Sequence, residues 1–180
     1  MAEIDRLAGV SHKWLFMDNR FNTAVPIRPY RREDAVALAT IFYRAVREVA
    51  YRFYSQAQIE TWAPGLGDSK ACDRCATDGR ITIVAVDDAD RPIAFGDLET
   101  NGHVDHLFSS PEAVGTGAAS SNYNRLESHA RELKLTRLNV AARECALPFF
   151  EGKGFRTVRR NDFAKSGLRI YSYTVEKAVD

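Results

Sequence analysis

The 180-residue sequence predicts an α/β fold, and three observations carry that reading. Segments with apolar residues at helical spacing alternate with short β-branched or aromatic runs. Between Arg80 and Ser110 three such runs follow one another, joined by turn residues, which is the pattern of a meander. A glycine pair, Gly115 and Gly117, then leads from the last run straight into a long helical segment.

Residues 1–24 show no sustained period and read as an N-terminal extension, leaving 25–180 as a single domain of ordinary length. VPIRPY (25–30) reads as a strand, and RREDA after it puts acidic residues where a helix N-terminus favours negative charge. Ala35, Leu38, Ala39, Phe42, Val46 and Val49 then mark one apolar helix face. Ser55 is placed to cap a short helix that WAPG ends, and DSKACDRCATD reads as a short polar helix. RITIVAV (80–86) and PIAFGDLE (92–99) form a hairpin across DDADRP, and GHVDHLFSS (102–110) is the next strand. After the glycine turn come a helix to Leu135, a strand at RLNVAA (137–142) and a short helix from Leu147 to Gly152. Two closing strands lie at FRTVRRNDF (155–163) and LRIYSYTVE (168–176).

With 45% hydrophobic and 27% charged residues and a net charge of +1, the chain is not built for disorder or for general attraction to nucleic acid or an anionic membrane. No nucleic-acid or membrane partner is expected. No apolar run approaches the roughly 18 residues of a membrane span. The N-terminus lacks the basic start and apolar stretch of a signal peptide, so a cytoplasmic location is expected. The cysteines, Cys72, Cys75 and Cys145, are odd in number, which argues against a disulfide framework. CDRC lacks the second ligand pair of a structural zinc site, and no metal is expected.

Glycines one residue apart at the mouth of a helix mark backbone that takes unusual φ values or approaches something closely. A helix start also leaves N–H groups without intrahelical partners, which favours an anion such as phosphate. GxxxxGK[ST] and GxGxxG are both absent, which disfavours nucleotide folds of those types. A tight turn with no ligand remains the alternative.

Here the sequence resembles the GNAT superfamily of acyl-CoA-dependent N-acyltransferases. The family loop reads [QR]xxGx[GA], and Val114, Gly115, Thr116, Gly117, Ala118 and Ala119 fit it, with Val114 at the Gln/Arg position. The likeness extends over Val25 to Lys177. It takes in IRPYRREDAVALATIF as first strand and helix, SQAQIETWAP as second helix, GHVDHLFSSPE before the loop, ECALPFFEGKGFRTV after it, and GLRIYSYTVEK as last strand. The resemblance implies the GNAT fold, a mixed, mostly antiparallel central sheet of about seven strands flanked by helices. In that fold a splayed parallel strand pair forms the cofactor cleft.

The implied activity is direct transfer of an acetyl group from acetyl-CoA to a primary amine of a small-molecule or protein acceptor. Amides of Gly115, Gly117, Ala118 and Ala119, within a cofactor loop running from Val114 through Thr116 to Ser120, would cradle the pyrophosphate. Leu107, Phe108 and Ser109 would pair with the pantetheine arm, and one of their N–H groups would polarise the thioester carbonyl. A base must take the amine proton. Asp97 and Glu99 share one strand face and His103 and Asp105 another; the reading favours Glu99 and Asp105, with ordinary solvated polar residues as the alternative for each. His103 and His106 point to opposite strand faces, so a metal site using both would need a bulge. Phe150 stands where relatives carry a proton-donating Tyr, and Cys145 where they often carry Asn, both on the cofactor side. Tyr51, Tyr54 and Trp62 are read as lining the acceptor pocket, with core filling as the alternative. Relatives often pair as dimers. A second reading, favoured by Val114 and Phe150, is a catalytically weak acyl-CoA-binding sensor or regulatory module.

Overall fold

Two four-stranded sheets meet where one strand breaks. The computed structural model describes residues 25–165 and 167–179, so the extension read at 1–24 lies outside the described residues. In chain order the first elements are β1 (Ile27–Pro29), α1 (Ala35–Arg44), α2 (Gln56–Trp62), α3 (Ser69–Ala76), β2 (Ile81–Val86) and β3 (Pro92–Leu98). They are followed by β4 (His103–Val104), β5 (Leu107–Ser109), α4 (Ala118–Glu132), β6 (Arg137–Ala142), α5 (Leu147–Gly152), β7 (Arg156–Lys165) and β8 (Leu168–Ala178). One sheet has the order β1-β2-β3-β5 and is antiparallel throughout. The other has the order β4-β6-β8-β7, with β4 and β6 parallel.

The strand read at 102–110 is therefore two strands in two sheets. His103 and Val104 pair with Asn139 and Val140, whereas Leu107, Phe108 and Ser109 pair with Gly96, Phe95 and Ala94. The cause is a side chain. Asp97, 3% exposed, accepts hydrogen bonds from the amides of Asp105 (3.2 Å) and His106 (3.0 Å) on its Oδ1. Its own N–H donates to the His106 carbonyl at 3.0 Å. Buried amides must be paired, and a carboxylate meets the donors of the break, so the chain can leave one sheet for the other.

The helices obey local chemistry. The Ser55 hydroxyl accepts from the Gln58 amide at 3.3 Å while the Gln58 side chain accepts from the Ser55 N–H at 2.9 Å, a reciprocal cap for α2. α1 runs on through a π-helical turn, Ala45–Val49, and a 3-10 turn, Ala50–Arg52. Asp34 precedes α1 as expected, but its carboxylate turns inward to Arg28 at 2.7 and 2.9 Å.

Each face of the first sheet carries a helical layer. Leu38 and Ile41 of α1 pack on Val84, Val86 and Phe95, while Ile83, which points the other way, joins Tyr123, Leu126 and Ala130 of α4. Tyr123 stands edge-on to Phe149, Phe150 and Phe155 at centroid distances of 6.0, 6.4 and 5.8 Å. Asn122, one turn before Leu126, is fully buried, and among the described residues neither of its amide atoms has a hydrogen-bond partner. Replacing an unsatisfied buried amide by an apolar group of similar shape removes a desolvation penalty. Asn122→Leu is expected to raise stability by roughly 1–3 kcal/mol in denaturant unfolding; a loss of stability would mean that the amide is satisfied, for instance by bound water.

Candidate active site

The break opens a cleft of about 440 Å³ between the two sheets. One wall is the continuous run from Val104 to Ser109. The facing wall is Val140 and Ala141 of β6, followed by Arg143, Cys145 and Ala146, with Phe150 of α5 beyond. Phe42, Val46, Val49 and Trp62 close the cleft from α1, its π-helical turn and α2. A π-turn re-aims side chains within a helix, and this one turns Ala45, Val46 and Val49 toward the opening. Beyond the β4–β6 pairing at Val104 the two parallel runs part, as the family resemblance implied, and the strand segment at Leu107–Ser109 faces the gap.

Val114 stands at the near end of the cleft and is 54% exposed. Beyond it Gly115 and Gly117 have φ of +81° and +93°, and a Cβ at either would meet open space. These glycines are required by backbone conformation. The amide of Thr116 donates to the Ala113 carbonyl at 3.2 Å and that of Ser121 to Gly117 at 2.9 Å. Among the described residues Gly115, Gly117, Ala118 and Ala119 make no such bond, so there the four predicted phosphate donors are unpaired at the N-terminus of a 15-residue helix. The Thr116 hydroxyl turns back to the Ala113 carbonyl (2.8 Å), and the Ser120 hydroxyl accepts from Lys153 Nζ (2.5 Å).

At the break the Asp97 carboxylate also grips an imidazole. His106 Nδ1 lies 2.7 Å from Asp97 Oδ2 and 3.3 Å from Asp105 Oδ2. A carboxylate only accepts, which assigns the Nδ1–H tautomer to neutral His106 and leaves Nε2 as its basic atom. Arg80, itself 9% exposed, binds Asp97 (3.0 Å), Asp105 (3.1 Å), Asp78 (2.9 Å) and Glu99 (3.4 Å). Burial pulls the His106 pKa down, but the hydrogen bond and charge of Asp97 with the charge of Asp105 outweigh it and hold the pKa above the ordinary 6.5. Burial pushes Asp97 upward, and the His106 bond and charge with the Arg80 charge hold it below the usual carboxylate range.

The residues singled out from sequence divide between cleft and elsewhere. Leu107, Phe108, Ser109, Val114, Cys145, Phe150 and Asp105 line it. Glu99, the other favoured base, lies beyond the end of β3 against Arg80, outside the cleft lining. His103 lies across β4 and β6, its Nδ1 2.7 Å from Asn139 Oδ1, so the two histidines serve separate partners. Trp62 lines the cleft; Tyr54 stacks edge-on against it at 5.7 Å and lines a small adjoining cavity. Tyr51 is 52% exposed and outside both, neither pocket wall nor core.

His106 and Arg143 were missed as site residues. A usable signal for His106 was Asp97, an acid inside an apolar strand run, which needs a buried partner. Cys75 of α3 also comes into this cluster: one ligand atom each from Cys75, Asp97, Asp105 and His106 lie within 4.8 Å of one another. The cluster is organised around the Arg80 guanidinium, a cation already bound to both carboxylates. Burial pushes the Cys75 thiol pKa up, away from the thiolate that a metal takes.

Comparison with known proteins agrees with this geometry. Residues 51–177 match the family model described as "Acetyltransferase (GNAT) domain". The uncharacterized N-acetyltransferase YafP of Escherichia coli K12 is 34% identical over 136 residues, covering 76% of this chain and 84% of that protein. A GCN5-related N-acetyltransferase crystal structure from Rhodopseudomonas palustris superposes with a TM-score of 0.80 at 28% identity, covering 87% and 96% of the two chains. YncA from Salmonella typhimurium, solved with its cofactor acetyl-CoA, shares the fold at a TM-score of 0.68 and 14% identity, covering 86% and 94%. A broken strand, an open glycine turn and this similarity in sequence lead to one conclusion: the chain belongs to the GNAT family of N-acetyltransferases.

Proposed function

We propose that the protein transfers an acetyl group from acetyl-CoA to a primary amine, both bound in the cleft, with His106 as general base. The observation that carries this reading is the set of unpaired amides at Gly115, Gly117, Ala118 and Ala119 beside a gap that runs along Leu107–Ser109. Those amides and the dipole of α4 suit a diphosphate. The exposed edge at Leu107–Ser109 suits an amide-bearing arm, and a free N–H there suits the thioester oxygen. Bound acetyl-CoA supplies the activated acetyl group as a thioester.

His106 Nε2 takes the proton from the amine as the nitrogen bonds to the acetyl carbon and the carbon–sulfur bond breaks. Asp97 is a positioning residue: it fixes the imidazole tautomer and favours the imidazolium that forms. Asp105, through Arg80 and His106 Nδ1, adds negative charge to the same end. Phe150, 3% exposed and edge-on to Phe149 and Phe155 at 5.3 Å, offers the departing thiolate no proton, which solvent must supply. That feature favours the second reading, a binder of acyl-CoA with weak turnover.

Thiol release from acetyl-CoA with an amine panel tests the proposal and separates the two readings: binding without release by any amine leaves the sensor. Because a base must be neutral and the His106 pKa is raised, kcat/KM is expected to fall on the acid side with an apparent pKa above about 6.5. In Asp97→Asn the new amide N–H would face Nδ1 and drive the proton to Nε2. That variant and His106→Gln are each expected to lose roughly 10²–10⁴ in kcat/KM. Loss of less than a few-fold in His106→Gln, or an unmoved acid limb, would remove His106 from the role.

Phe150→Tyr places a hydroxyl on the cleft wall. It is expected to raise kcat by up to roughly 100-fold with little change in acetyl-CoA affinity. An unchanged or lower kcat would show that thiolate protonation is not what slows the reaction.

A further inference from the structure

Three partly buried arginines of the described residues, Arg28, Arg80 and Arg143, are not treated alike. Arg28, 13% exposed, is paired with Asp34 and Asp90, and Arg80, 9% exposed, with four carboxylates. Arg143 is half-buried and lines both the cleft and its small neighbour, yet among the described residues no carboxylate lies within 4.0 Å of it. Its guanidinium sits 5.0 Å above the Trp62 ring and 5.4 Å above that of Phe163, and Nη1 donates to the Tyr171 carbonyl at 3.0 Å. The adjacent acid is held elsewhere: the Glu144 carboxylate accepts from the Tyr171 hydroxyl, and the Glu144 amide donates to Tyr54 Oη. Burial without an anion pulls the Arg143 pKa down.

A guanidinium taken out of water costs free energy unless an anion faces it. Contacts with two rings and one carbonyl hold Arg143 in place and leave other N–H groups of its fork for an acceptor, and a fork of this kind matches a carboxylate. The groups clasping it come from α2, β7 and β8, whereas the glycine turn is framed by β5 and α4. The cofactor arm that the cleft suits is uncharged along this stretch, so Arg143 is not called for by the diphosphate. His106 lines the same cavity, and Phe42, Val46, Val49 and Trp62 complete it with apolar surface.

Building on the acetyltransferase reading, we propose that Arg143 binds the carboxylate of the acceptor. The substrate class is then a free amino acid with an apolar frame, its amine presented to His106 and its carboxylate to the guanidinium. The step is N-acetylation: the amine nitrogen gains the acetyl group, the CoA sulfur keeps the bonding pair, and one proton leaves the amine for His106.

The test uses matched pairs of one frame, phenylalanine with phenylalaninamide and leucine with leucinamide, assayed with acetyl-CoA on the alkaline plateau where both amines are neutral. The free acids are expected to exceed their amides in kcat/KM by about 10–100-fold, the scale of one charged hydrogen-bonded contact. Arg143→Gln should erase that preference by losing the acids, and Arg143→Lys, which keeps charge without the fork, should restore part of it. The same acids and amides are titrated into CoA-saturated protein, so that carboxylate-dependent binding is read even where turnover is slow. Equal use and equal binding of acid and amide, or an Arg143→Gln variant that keeps the preference, overturns the proposal while leaving acetyl transfer intact. Binding of the acids that needs Arg143, in a protein that binds no CoA, upholds the anion site and overturns acetyl transfer.

Discussion

The Asp97 carboxylate is the fixed point of this structure. One oxygen closes the backbone at Asp105 and His106, where a strand leaves one sheet for the other; the second holds His106 and Arg80. A buried charge in a strand is tolerated only when its hydrogen-bonding capacity is filled, and here the partners are two backbone amides, an imidazole and a guanidinium. With the break satisfied internally, β4 can pair with β6 while β5 pairs with β3, and the space between becomes a cleft. The same group that makes the cleft also sets the imidazole at its wall. Fold and chemistry therefore share one side chain, and a change at Asp97 acts on both.

Charge around the cleft is distributed unevenly, and the unevenness has a physical meaning. At the break, carboxylates outnumber the one guanidinium they surround, which favours a protonated imidazole and hence a basic Nε2 when it is neutral. In the same cavity Arg143 stands against the rings of Trp62 and Phe163, with no acid paired to it among the described residues. A ligand bearing an amine and an anion would meet a matching group for each, with apolar walls for the rest of its frame. At the glycine turn the attraction is of a third kind, main-chain N–H groups and a helix dipole with no basic side chain from the loop itself.

Much of the fold was legible because its signals are local. Helical spacing marked α1, Ser55 announced the start of α2, turn residues bounded β2 and β3, and Gly115 and Gly117 take the positive φ that their spacing suggested. The division of 102–110 into two strands was hidden, since its cause is the long-range reach of Asp97 to Asp105 and His106. Period-two alternation treats a run of extended residues as one strand and is blind to which sheet each half joins. The same blindness hid where the acids go: alternation put Glu99 on a par with Asp97, whereas Glu99 lies beyond the strand end against Arg80 and outside the cleft lining. Tyr51 and Trp62 are both aromatic and near helix ends, yet one is on the surface and the other in the wall, a difference made by tertiary packing alone.

That the cleft between the parted strands holds acetyl-CoA is tested most directly by a crystal structure of the protein grown with CoA. The account predicts the diphosphate on the amides from Gly115 to Ala119 and the pantetheine arm threaded between Leu107–Ser109 and the end of β6. Density for CoA elsewhere on the surface, with the two strands drawn together over an empty gap, would contradict it.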